Sequence, residues 1–475
     1  MTYALTIWLE IHCKLLTSSK VFCRCHNEQD FDVLPANTHV CPTCMGMPWA
    51  LPTLNVECIQ KAWALWMLLW CVQQELSHFD RKSYFYPDLP MGYQITQFNK
   101  PLNINGKVLY HTLDYSEEKE VTILQAHVEC DTAKTTHMNW ELLLDFNRAG
   151  TPLIEVVTAP EFHSAEEVHG FLREIQRTLQ YYKISEAQMD KWQMRCDVNI
   201  SISKDDTLGT KIEIKNMNSI SSIKKAIAYE YERQSKTLEE WGSLQQETRW
   251  RDESSNTSYL MRSKENALDY RYFPEPDLPP VIYTADIKAG SSAMIGETIA
   301  QKISRYKNEY QFHKEYINGI LTDEYITRLF EDGIAKWYTP ATLAKYIVNY
   351  ILASTNMGNL HIVNTPFSEE SFYLFLDSIE LNKFSDNVAK NIIVQYLATW
   401  QSMQELIDQA KEAQSKVANI DDIVLRVIAE QEKVVAEYKG GKLTAIWFLV
   451  GQVMKKTQGS AQPQEVQACL EKHLS

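Results

Sequence analysis

The pattern of apolar and polar residues changes character near residue 290. Before that point apolar residues recur in short alternating runs, such as Met194–Ser203 and Thr210–Asn216 on either side of KDDTLG. Strict alternation is typical of half-buried strands, and these two runs predict a β-hairpin. A capping box at Ser164–Glu167 and helical periodicity over Ser221–Trp241 predict two helices among the strands.

Helical periodicity dominates after about residue 292, in segments such as ATLAKYIVNYILAS and VAKNIIVQYLATWQSM. The proline-rich stretch Phe273–Pro280 precedes this region and is typical of a domain end. The pattern therefore predicts an α+β domain over residues 1–290, followed by one or two all-helical domains. The longest apolar run, Ala62–Val72, is shorter than the ~20 residues that span a membrane, so it predicts a buried helix.

Composition narrows the functional classes. Of 475 residues, 45% are hydrophobic and 23% charged, which excludes a disordered, collagen-like or disulfide-stapled chain. The net charge of −14 argues against membrane or nucleic-acid binding by overall charge, so a polyanionic partner requires a local basic patch. The N-terminus shows no secretory signal, and four of the ten cysteines are clustered, so we expect a reducing, cytoplasmic location.

Four cysteines form the sharpest local motif. Cys23 and Cys25 are followed, after 15 residues, by Cys41 and Cys44. Two close pairs joined by a loop direct four thiolates at one point, as in structural zinc sites whose protein ligands fill every position. Zinc is the expected metal. The alternative is a set of buried free thiols.

Acidic residues and a histidine recur at alternating positions of predicted strands. The sets that share a strand face are Glu10 with His12, Glu129 with Asp131, Asp197 with Asn199, and Lys211 with Glu213 and Lys215. Converging carboxylates suit Mg²⁺, a hard cation that binds nucleotide phosphates. The chain has no P-loop and no GxGxxG motif, so an ATP site requires another architecture. The alternative is that each acid lies on a solvated sheet face.

Two segments combine cations with aromatic residues, namely Phe79–Pro90 (FDRKSYFYPDLP) and Met261–Phe273. Such mixtures bind phosphates, ribose or an RNA end by charge and stacking. The alternative is a pair of loops packed by tyrosines.

A basic stretch lies near the C-terminus, where no acidic residue occurs between Tyr438 and Gln464. Its lysines are Lys439, Lys442, Lys455 and Lys456. Gly440 and Gly441 precede a predicted helix start, where backbone N–H groups can meet a phosphate. In so acidic a chain this stretch is a candidate RNA contact, and the alternative is a solvated helix end.

Several longer strings resemble one known family, the GatB family, which forms the B subunit of the tRNA-dependent Asp/Glu amidotransferases. The matching strings are LEIH, FC-x-C, CP-x-C, FDRKSYFYPDLP, DFNRAGTPLIE, RCDVNIS, EIKNMNS, QETR, MRSKE, DYRYFPEPDLPP and GQVMKKTQG-x-A-x-P. They extend over essentially the whole chain. The combination of FDRK-x-YFYPD with DYRYFPEPDLPP is highly specific for this family.

The resemblance implies a fold and a reaction. It implies a cradle-like catalytic domain over residues 1–290, a helical domain over 291–403 and a small tRNA-binding tail over 404–475. The family uses ATP and Mg²⁺ to phosphorylate the carboxylate of misacylated Glu-tRNA(Gln) or Asp-tRNA(Asn), and ammonia then displaces phosphate. The ammonia would come from an amidase partner that hydrolyses glutamine, and this glutaminase works with a small third protein in a heterotrimer.

The resemblance also implies roles for individual residues. Catalytic or Mg²⁺-binding roles would fall to Glu10, His12, Glu129, Asp197 and Glu213, and Lys82 would line the exit of the ammonia path. The strings EIKN and MRSKE would contribute nucleotide contacts through Lys215, Asn216, Arg262 and Lys264. The four cysteines match the zinc-bearing members of the family, and the lysines around GQVMK would contact tRNA.

The chain departs from the family pattern at several positions. Tryptophan replaces the family's glycine at Trp8, Trp49, Trp66 and Trp192. Cys130 replaces a glutamate that binds metal in the family, and a soft thiol is a poor ligand for Mg²⁺. These departures leave an alternative function, a diverged paralogue that binds tRNA or a partner protein but has weak or no catalytic activity.

Overall fold

The computed structural model describes residues 3–205, 207–240, 242–263, 270–285, 289, 291, 296–357, 362, 365–416, 420–457, 461 and 463–474. The chain divides into two compact units, Met1–Glu309 and Tyr310–Ser475. Within the residues described, no helix combines the length and the apolar character needed to cross a membrane.

The first unit contains the strands. They are β1 (Ala4–Lys14), β2 (Val72–Gln73), β3 (Leu76–Ser77), β4 (Asp80–Ser83), β5 (Tyr93–Thr96), β6 (Asn103–His111), β7 (Glu118–Cys130), β8 (Lys134–Met138), β9 (Glu141–Asp145), β10 (Pro152–Thr158), β11 (Met194–Ser203), β12 (Ile212–Lys215), β13 (Glu247–Asp252), β14 (Thr257–Ser263), β15 (Phe273–Pro274) and β16 (Val281–Ile282). The antiparallel pairing of β11 with β12 confirms the predicted hairpin.

Nine strands form one sheet in the order β14-β13-β12-β11-β1-β10-β7-β6-β2. Neighbouring strands are antiparallel except for the parallel pair β12 and β13. Smaller sheets have the orders β15-β4-β5, β16-β3 and β8-β9. The first strand of the chain therefore lies inside the large sheet, between strands that follow it by well over a hundred residues.

Helices cover one face of the large sheet. They are α1 (Val56–Leu68), α2 (Ala165–Tyr181), α3 (Ile220–Glu239) and α4 (Ile299–Asn308). Ile7, Leu9 and Ile11 of β1 join the buried core beneath these helices, so alternation turns Glu10 and His12 to the opposite face. The predicted capping box is half formed, because Ser164 caps α2 while the Glu167 carboxylate accepts from the backbone N–H of His163 instead.

The second unit contains helices and no strand among its described residues. Its helices are α5 (Lys314–Ile320), α6 (Glu324–Ala335), α7 (Pro340–Tyr346), a π-helical segment (Ile347–Leu352), α8 (Ala353–Met357), α9 (Glu369–Asn382), α10 (Asp386–Thr399), α11 (Met403–Lys416), α12 (Ile420–Glu430), α13 (Glu432–Lys439), α14 (Ala445–Lys456) and α15 (Pro463–Leu474). The change from strands to helices that the periodicity predicts is thus present.

Two helices, α4 and α11, lie at the domain boundaries predicted near residues 290 and 404. Helix α4 packs against α2 and β6 in the first unit, beyond the boundary predicted at residue 290. Helix α11, where the predicted tail begins, packs against α9 and α10. The last four helices share their own apolar cluster, which includes Val424, Leu449 and Leu470. A separate tail domain over 404–475 stays a prediction.

Candidate functional site

The polar face of the large sheet brings together acidic residues from five strands. Glu10 of β1 lies directly opposite Asp197 of β11, and His12 lies opposite Glu155 of β10. Glu213 of β12 lies opposite Asn199, two residues beyond Asp197 on β11. Because β1 lies between β10 and β11, two groups of potential metal ligands form side by side along one strand.

The first group, the carboxylate triad, consists of Glu10, Asp197 and Glu213, whose oxygen atoms lie within 4.8 Å of one another. The triad is oriented by its neighbours. Asn199 Nδ2 donates to Glu10 Oε1 at 3.1 Å, and Thr248 Oγ1 donates to Glu213 Oε2 at 2.8 Å. An all-oxygen donor set of this kind fits a hard divalent cation such as Mg²⁺.

Lys215 compensates the negative charge of the carboxylate triad. Its ammonium forms an ion pair with Asp197 and lies 3.4 Å from Glu213 Oε1. Burial disfavours the charged form, but the attraction of Asp197 and Glu213 outweighs it and raises the pKa of Lys215. A bound cation would share these oxygens with the ammonium, so binding of the ion requires Lys215 to adjust.

The second group, the histidine triad, consists of His12, Glu129 and Glu155, with one potential ligand atom of each within 4.8 Å of the others. His12 Nε2 lies 3.6 Å from Glu129 Oε1 and 3.4 Å from Glu155 Oε2. Glu155 Oε2 also lies 3.2 Å from His127 Nε2. Among the atoms described, the Nδ1 atoms of His12 and His127 are buried without a hydrogen-bond partner.

Both triads line one cavity of about 380 Å³. Its walls are formed by Glu10, His12, Lys82, Thr96, Gln97, Phe98, Gln125, His127, Glu129, Glu155, Val157, Asp197, Glu213, Lys215, Thr248, Tyr270 and Tyr272. The volume is within the range of small-molecule sites. The cavity therefore offers two sets of cation ligands, two ammonium groups and aromatic walls in one place.

Lys82 reaches this cavity from β4, outside the large sheet. Its Nζ lies 4.9 Å from the ring centre of Tyr270. Tyr272 stacks on Phe98 with a centroid distance of 4.0 Å. Burial opposes the charge of Lys82, but the electrostatic influence of Tyr272, Glu129 and other acidic groups raises its pKa. The segments FDRK and DYRYF, far apart in sequence, thus form one wall of the cavity.

The predicted nucleotide contacts have different surroundings. Lys215 lines the cavity, but Asn216 has a left-handed backbone (φ 71°) and donates from Nδ2 to the Arg251 carbonyl at 3.0 Å. The backbone of Arg262 pairs with Thr248 in the sheet, and its side chain lies outside the description. Lys264 falls outside the described residues. The roles of these residues stay predictions.

Asp131 was grouped with Glu129 in the sequence but has another structural role. Its carboxylate is buried and lies 3.0 Å from Arg195 Nη2 and 3.4 Å from Arg148 Nε. Burial raises the pKa of such a carboxyl group, but Arg148 and Arg195 outweigh burial and lower it. Asp131 therefore fixes two arginines beside the cavity and lies outside both triads.

The four cysteines come together as their spacing predicts. The sulfur atoms of Cys23, Cys25, Cys41 and Cys44 all lie within 4.8 Å of one another. The hydrogen bond with Cys23 and the Lys20 ammonium outweigh burial and together lower the pKa of the Cys44 thiol to about 5. Lys20 is fully buried, with Nζ 3.7 Å from Cys44 Sγ and 2.9 Å from the His39 carbonyl. Four sulfurs at this separation suit tetrahedral zinc.

Two departures from the family pattern lie close to these sites. Cys130 is buried and lines a small pocket together with Cys23 and Cys44, while its neighbour Glu129 belongs to the cavity. Trp8 lies on β1 two residues before Glu10, and Lys211 Nζ lies 5.0 Å from its ring centre. Neither triad includes residue 130.

The C-terminal lysines lie at helix ends. Lys442 Nζ lies 2.7 Å from Glu437, and Lys456 forms an ion pair with Glu430, so acidic residues outside the basic stretch compensate two lysines. The prediction for Gly440 and Gly441 was wrong. Their N–H groups donate to carbonyls of Ala436 and Tyr438, because the two glycines end α13 and do not open α14.

Sequence reasoning missed two potential metal ligands of the cavity. Glu155 follows the sequence GTPLI on β10 and shows no acidic partner at alternating positions, and His127 precedes Glu129 by two residues on β7. Glu155 lies inside the string DFNRAGTPLIE, and strand alternation places His127 on the face of Glu129. Both signals were present, but only the order of strands in the sheet joins them to His12.

Comparisons with known proteins find relatives of both parts of the chain. Residues 5–289 match a family model described as the GatB/GatE catalytic domain, and residues 328–474 match one described as the GatB domain. Curated relatives are named as the B subunit of aspartyl/glutamyl-tRNA(Asn/Gln) amidotransferase. The relatives from Thermoanaerobacter pseudethanolicus and Persephonella marina are each 37% identical, over 100% of both chains. The relative from Gloeothece citriformis is 38% identical, over 99% of this chain and 98% of its own.

The sheet and its cavity thus lie within the part of the chain that matches the catalytic-domain family model. With both models matched and relatives aligned over the full length, the chain belongs to the GatB family.

Proposed function

We propose that the chain is the catalytic component of an ATP-dependent amidotransferase that acts on misacylated Glu-tRNA(Gln) and/or Asp-tRNA(Asn). The observation that carries the proposal is the single cavity in which the carboxylate triad and the histidine triad lie beside Lys82 and Lys215. The names of the relatives support the substrate class, since each is the B subunit of an aspartyl/glutamyl-tRNA(Asn/Gln) amidotransferase.

The proposed reaction has two steps. In the first, a carboxylate oxygen of the tRNA-bound Glu or Asp attacks the γ-phosphorus of ATP, the bond to the β-phosphate oxygen breaks, and ADP leaves. In the second, ammonia attacks the carbonyl carbon, phosphate leaves with the bonding electron pair, and the nitrogen loses a proton to give the amide. Phosphorylation is necessary because a free carboxylate resists attack by an amine.

The residues of the cavity suit the first step. The carboxylate triad fits Mg²⁺ by its donor atoms, and the histidine triad offers a second set of ligands. A bound Mg²⁺ would neutralise charge on the transferring phosphoryl group. Lys82 and Lys215 add two fixed positive charges at the same cavity, which would orient phosphate oxygens.

The proposal extends to zinc and to partner proteins. The four cysteines would hold a structural zinc ion, because four protein ligands leave no position open for chemistry. A glutaminase of the amidase type, together with a small third protein, would provide ammonia, and Lys82 on the wall away from the large sheet would border its entry. The lysines of the C-terminal helices would contact tRNA in the cytoplasm.

The diverged, inactive paralogue is the second candidate, and Cys130 is the observation that favours it. Cys130 turns away from the cavity, however, and each triad has three ligands without it. The loss of a glutamate at this position therefore leaves both sets of proposed cation ligands in place, which supports the enzyme over the paralogue.

The experiment is reconstitution with the glutaminase and the small third protein, with Glu-tRNA(Gln) and Asp-tRNA(Asn) as substrates. Ammonium chloride replaces glutamine in one arm, so that a failure of the glutaminase is distinguishable from a failure of this chain. Amide, ADP and phosphate should form in equal amounts. Glu213→Gln should lower the rate about 10²-fold or more, because one charged ligand of the carboxylate triad is lost.

Glu120→Gln is the matched control, since Glu120 lies on β7 of the same sheet but forms an exposed ion pair with Lys107. It should keep the parent's rate. Equal activity of Glu213→Gln and its parent would refute the role of the triad. Binding of tRNA without any ATP consumption would establish the paralogue instead.

A further inference from the structure

A second cluster of metal-binding side chains lies in the C-terminal helices, in the other compact unit of the chain. Asp421 is in the first turn of α12, while Cys469 and His473 are one turn apart on α15. Cys469 Sγ lies 3.3 Å and His473 Nε2 lies 2.6 Å from the same Asp421 oxygen. One ligand atom of each residue lies within 4.8 Å of the others.

The packing of the two helices fixes this geometry. Val424 of α12 and Val466 and Leu470 of α15 are fully buried in one apolar cluster. Cys469 and His473 occupy positions i and i+4 and therefore project from one face of α15. Asp421 lies one turn before Val424, so the apolar contact places its carboxylate at that face.

We propose that Asp421, Cys469 and His473 bind a divalent metal ion, with zinc the best match. Thiolate, imidazole and carboxylate are the three ligand types that zinc takes in proteins, and three protein ligands leave a fourth position for water. The side chain of Asp421 is half exposed, so solvent reaches that position. His473 and Asp421 could form an ion pair without any third residue. The Cys469 thiol approaches the same Asp421 oxygen, and the three side chains together form a set of metal ligands.

The test compares metal binding by the full chain and by a Cys469→Ser/His473→Ala variant. After removal of metal, each protein is titrated with Co²⁺ and followed by its visible and thiolate charge-transfer absorption. The parent should bind one equivalent more than the variant, whatever the N-terminal cysteines bind. Equal stoichiometry in the two proteins would overturn the proposal.

Glu471→Gln is the control for weak surface binding. Glu471 lies on α15 between Cys469 and His473 and accepts a hydrogen bond from Gln467. This variant should keep the full stoichiometry and spectrum. The assignment would also be refuted if Glu471→Gln lost the additional equivalent of Co²⁺ while Cys469→Ser/His473→Ala kept it.

A separate observation concerns the tryptophans. Trp49, Trp70, Trp192, Trp337 and Trp400 all have positive φ angles, between 49° and 72°. Such a conformation is rare for a bulky residue and is the usual place of glycine. The same five side chains are exposed, from 48% at Trp192 to 98% at Trp49, so none is held there by burial.

The amino-acid composition also indicates that glycine is under-represented in this chain. The chain has 12 tryptophans but only 16 glycines in 475 residues, whereas average usage gives about 33 glycines. Exposed indoles in left-handed turns and a shortage of glycine have one common explanation. We infer that these five positions are glycine in the protein as its host makes it, encoded by UGA, a codon that different bacteria read as tryptophan or as glycine.

Mass spectrometry of the chain isolated from its natural host tests this inference. Peptides that cover the five positions should contain glycine, and the gene should carry UGA at each. Tryptophan in these peptides, or UGG codons, would refute it. As a second measurement, a recombinant chain with glycine at all five positions should unfold at a higher temperature than the tryptophan form.

Leu381→Gly is the matched control for that measurement. Leu381 is equally exposed but lies in α9 with ordinary helical geometry, where glycine weakens the helix. This variant should unfold at a lower temperature. A lower unfolding temperature for the five-glycine chain as well would show that the left-handed positions do not prefer glycine.

Discussion

His12 of β1 and Glu155 of β10 lie opposite each other in the sheet, with His12 Nε2 3.4 Å from Glu155 Oε2. Burial alone would lower the pKa of His12, but Glu155, assisted by Glu129, raises it above 6.5. Burial alone would raise the pKa of Glu155, but His12 and His127 lower it well below 4.5. Each residue thus favours the charged form of the other.

This pair predicts a pH dependence for the metal-free chain. The contribution of His12 to stability is complete below pH 6.5 and is lost as the pH rises through its raised pKa. The contribution of Glu155 is present above pH 4.5 and is lost as the pH falls through its lowered pKa.

Glu155→Gln should lower the pKa of His12. It should also weaken the dependence of stability on pH at both the acidic and the alkaline end. Histidine NMR and urea unfolding between pH 4 and 9, roughly the range of these groups, measure the two effects, and an unchanged His12 titration would contradict the pairing.

Asp131→Asn should destabilise the first unit. The substitution leaves Arg148 and Arg195 without their shared carboxylate, and we expect a loss of about 2–3 kcal/mol in the free energy of unfolding at neutral pH. Because the pKa of Asp131 is lowered, the difference from the parent should shrink as the pH falls through that pKa. Denaturant unfolding measures it. Glu120→Gln, at an exposed ion pair, should change stability by less than about 0.5 kcal/mol.

Lys20→Met should weaken retention of the proposed zinc ion. Four thiolates around Zn²⁺ leave a net charge of −2, and the buried Lys20 ammonium beside Cys44 offsets part of it. We expect a loss of affinity of about 10-fold or more, measured by competition with a chromophoric chelator. Lys107→Met, at an exposed lysine, should leave the affinity unchanged. Equal affinity of Lys20→Met and its parent would show that the ammonium does not compensate the site.

The C-terminal lysines should contribute unequally to tRNA binding. Lys442 and Lys456 are engaged with Glu437 and Glu430, whereas no ion pair is among the described contacts of Lys439 and Lys455. Replacing Lys439 and Lys455 by Gln should therefore reduce the slope of log affinity against log salt by about 0.7–0.9 per lost phosphate contact. The same change at Lys442 and Lys456 should have a smaller effect. Identical slopes for the two double variants would remove this distinction.

Much of the cavity follows from strand periodicity. Alternation places Glu10 beside His12 and Asp197 beside Asn199 before any topology is known, because successive side chains of a strand point to opposite faces. It could not reveal that β10 lies next to β1, so Glu155 had no visible partner in the sequence. The paired cysteines needed no topology, since a short loop closes their site, whereas Lys82 reaches the cavity only through a separate three-stranded sheet.

Local signals failed where other contacts in the folded chain compete for the same groups. Asp131 shares a pattern with Glu129 but pairs with Arg148 and Arg195, which approach from other segments. Gly440 and Gly441 resemble a phosphate-binding turn, yet the preceding helix uses their N–H groups. In both cases the sequence shows the group but not the partner that occupies it.

The central position of β1 has a consequence for synthesis of the chain. Glu10 leaves the ribosome 189 residues before its partner Asn199, an interval of roughly 10–40 s at ordinary rates of translation. Until β10 is made, β1, with the apolar residues Ile7, Leu9 and Ile11, has no neighbouring strand, and its other edge waits for β11. A nascent or truncated chain that ends before β11 therefore exposes one unpaired edge of a hydrophobic strand, and it should depend on chaperones that hold unfolded segments until the sheet is complete.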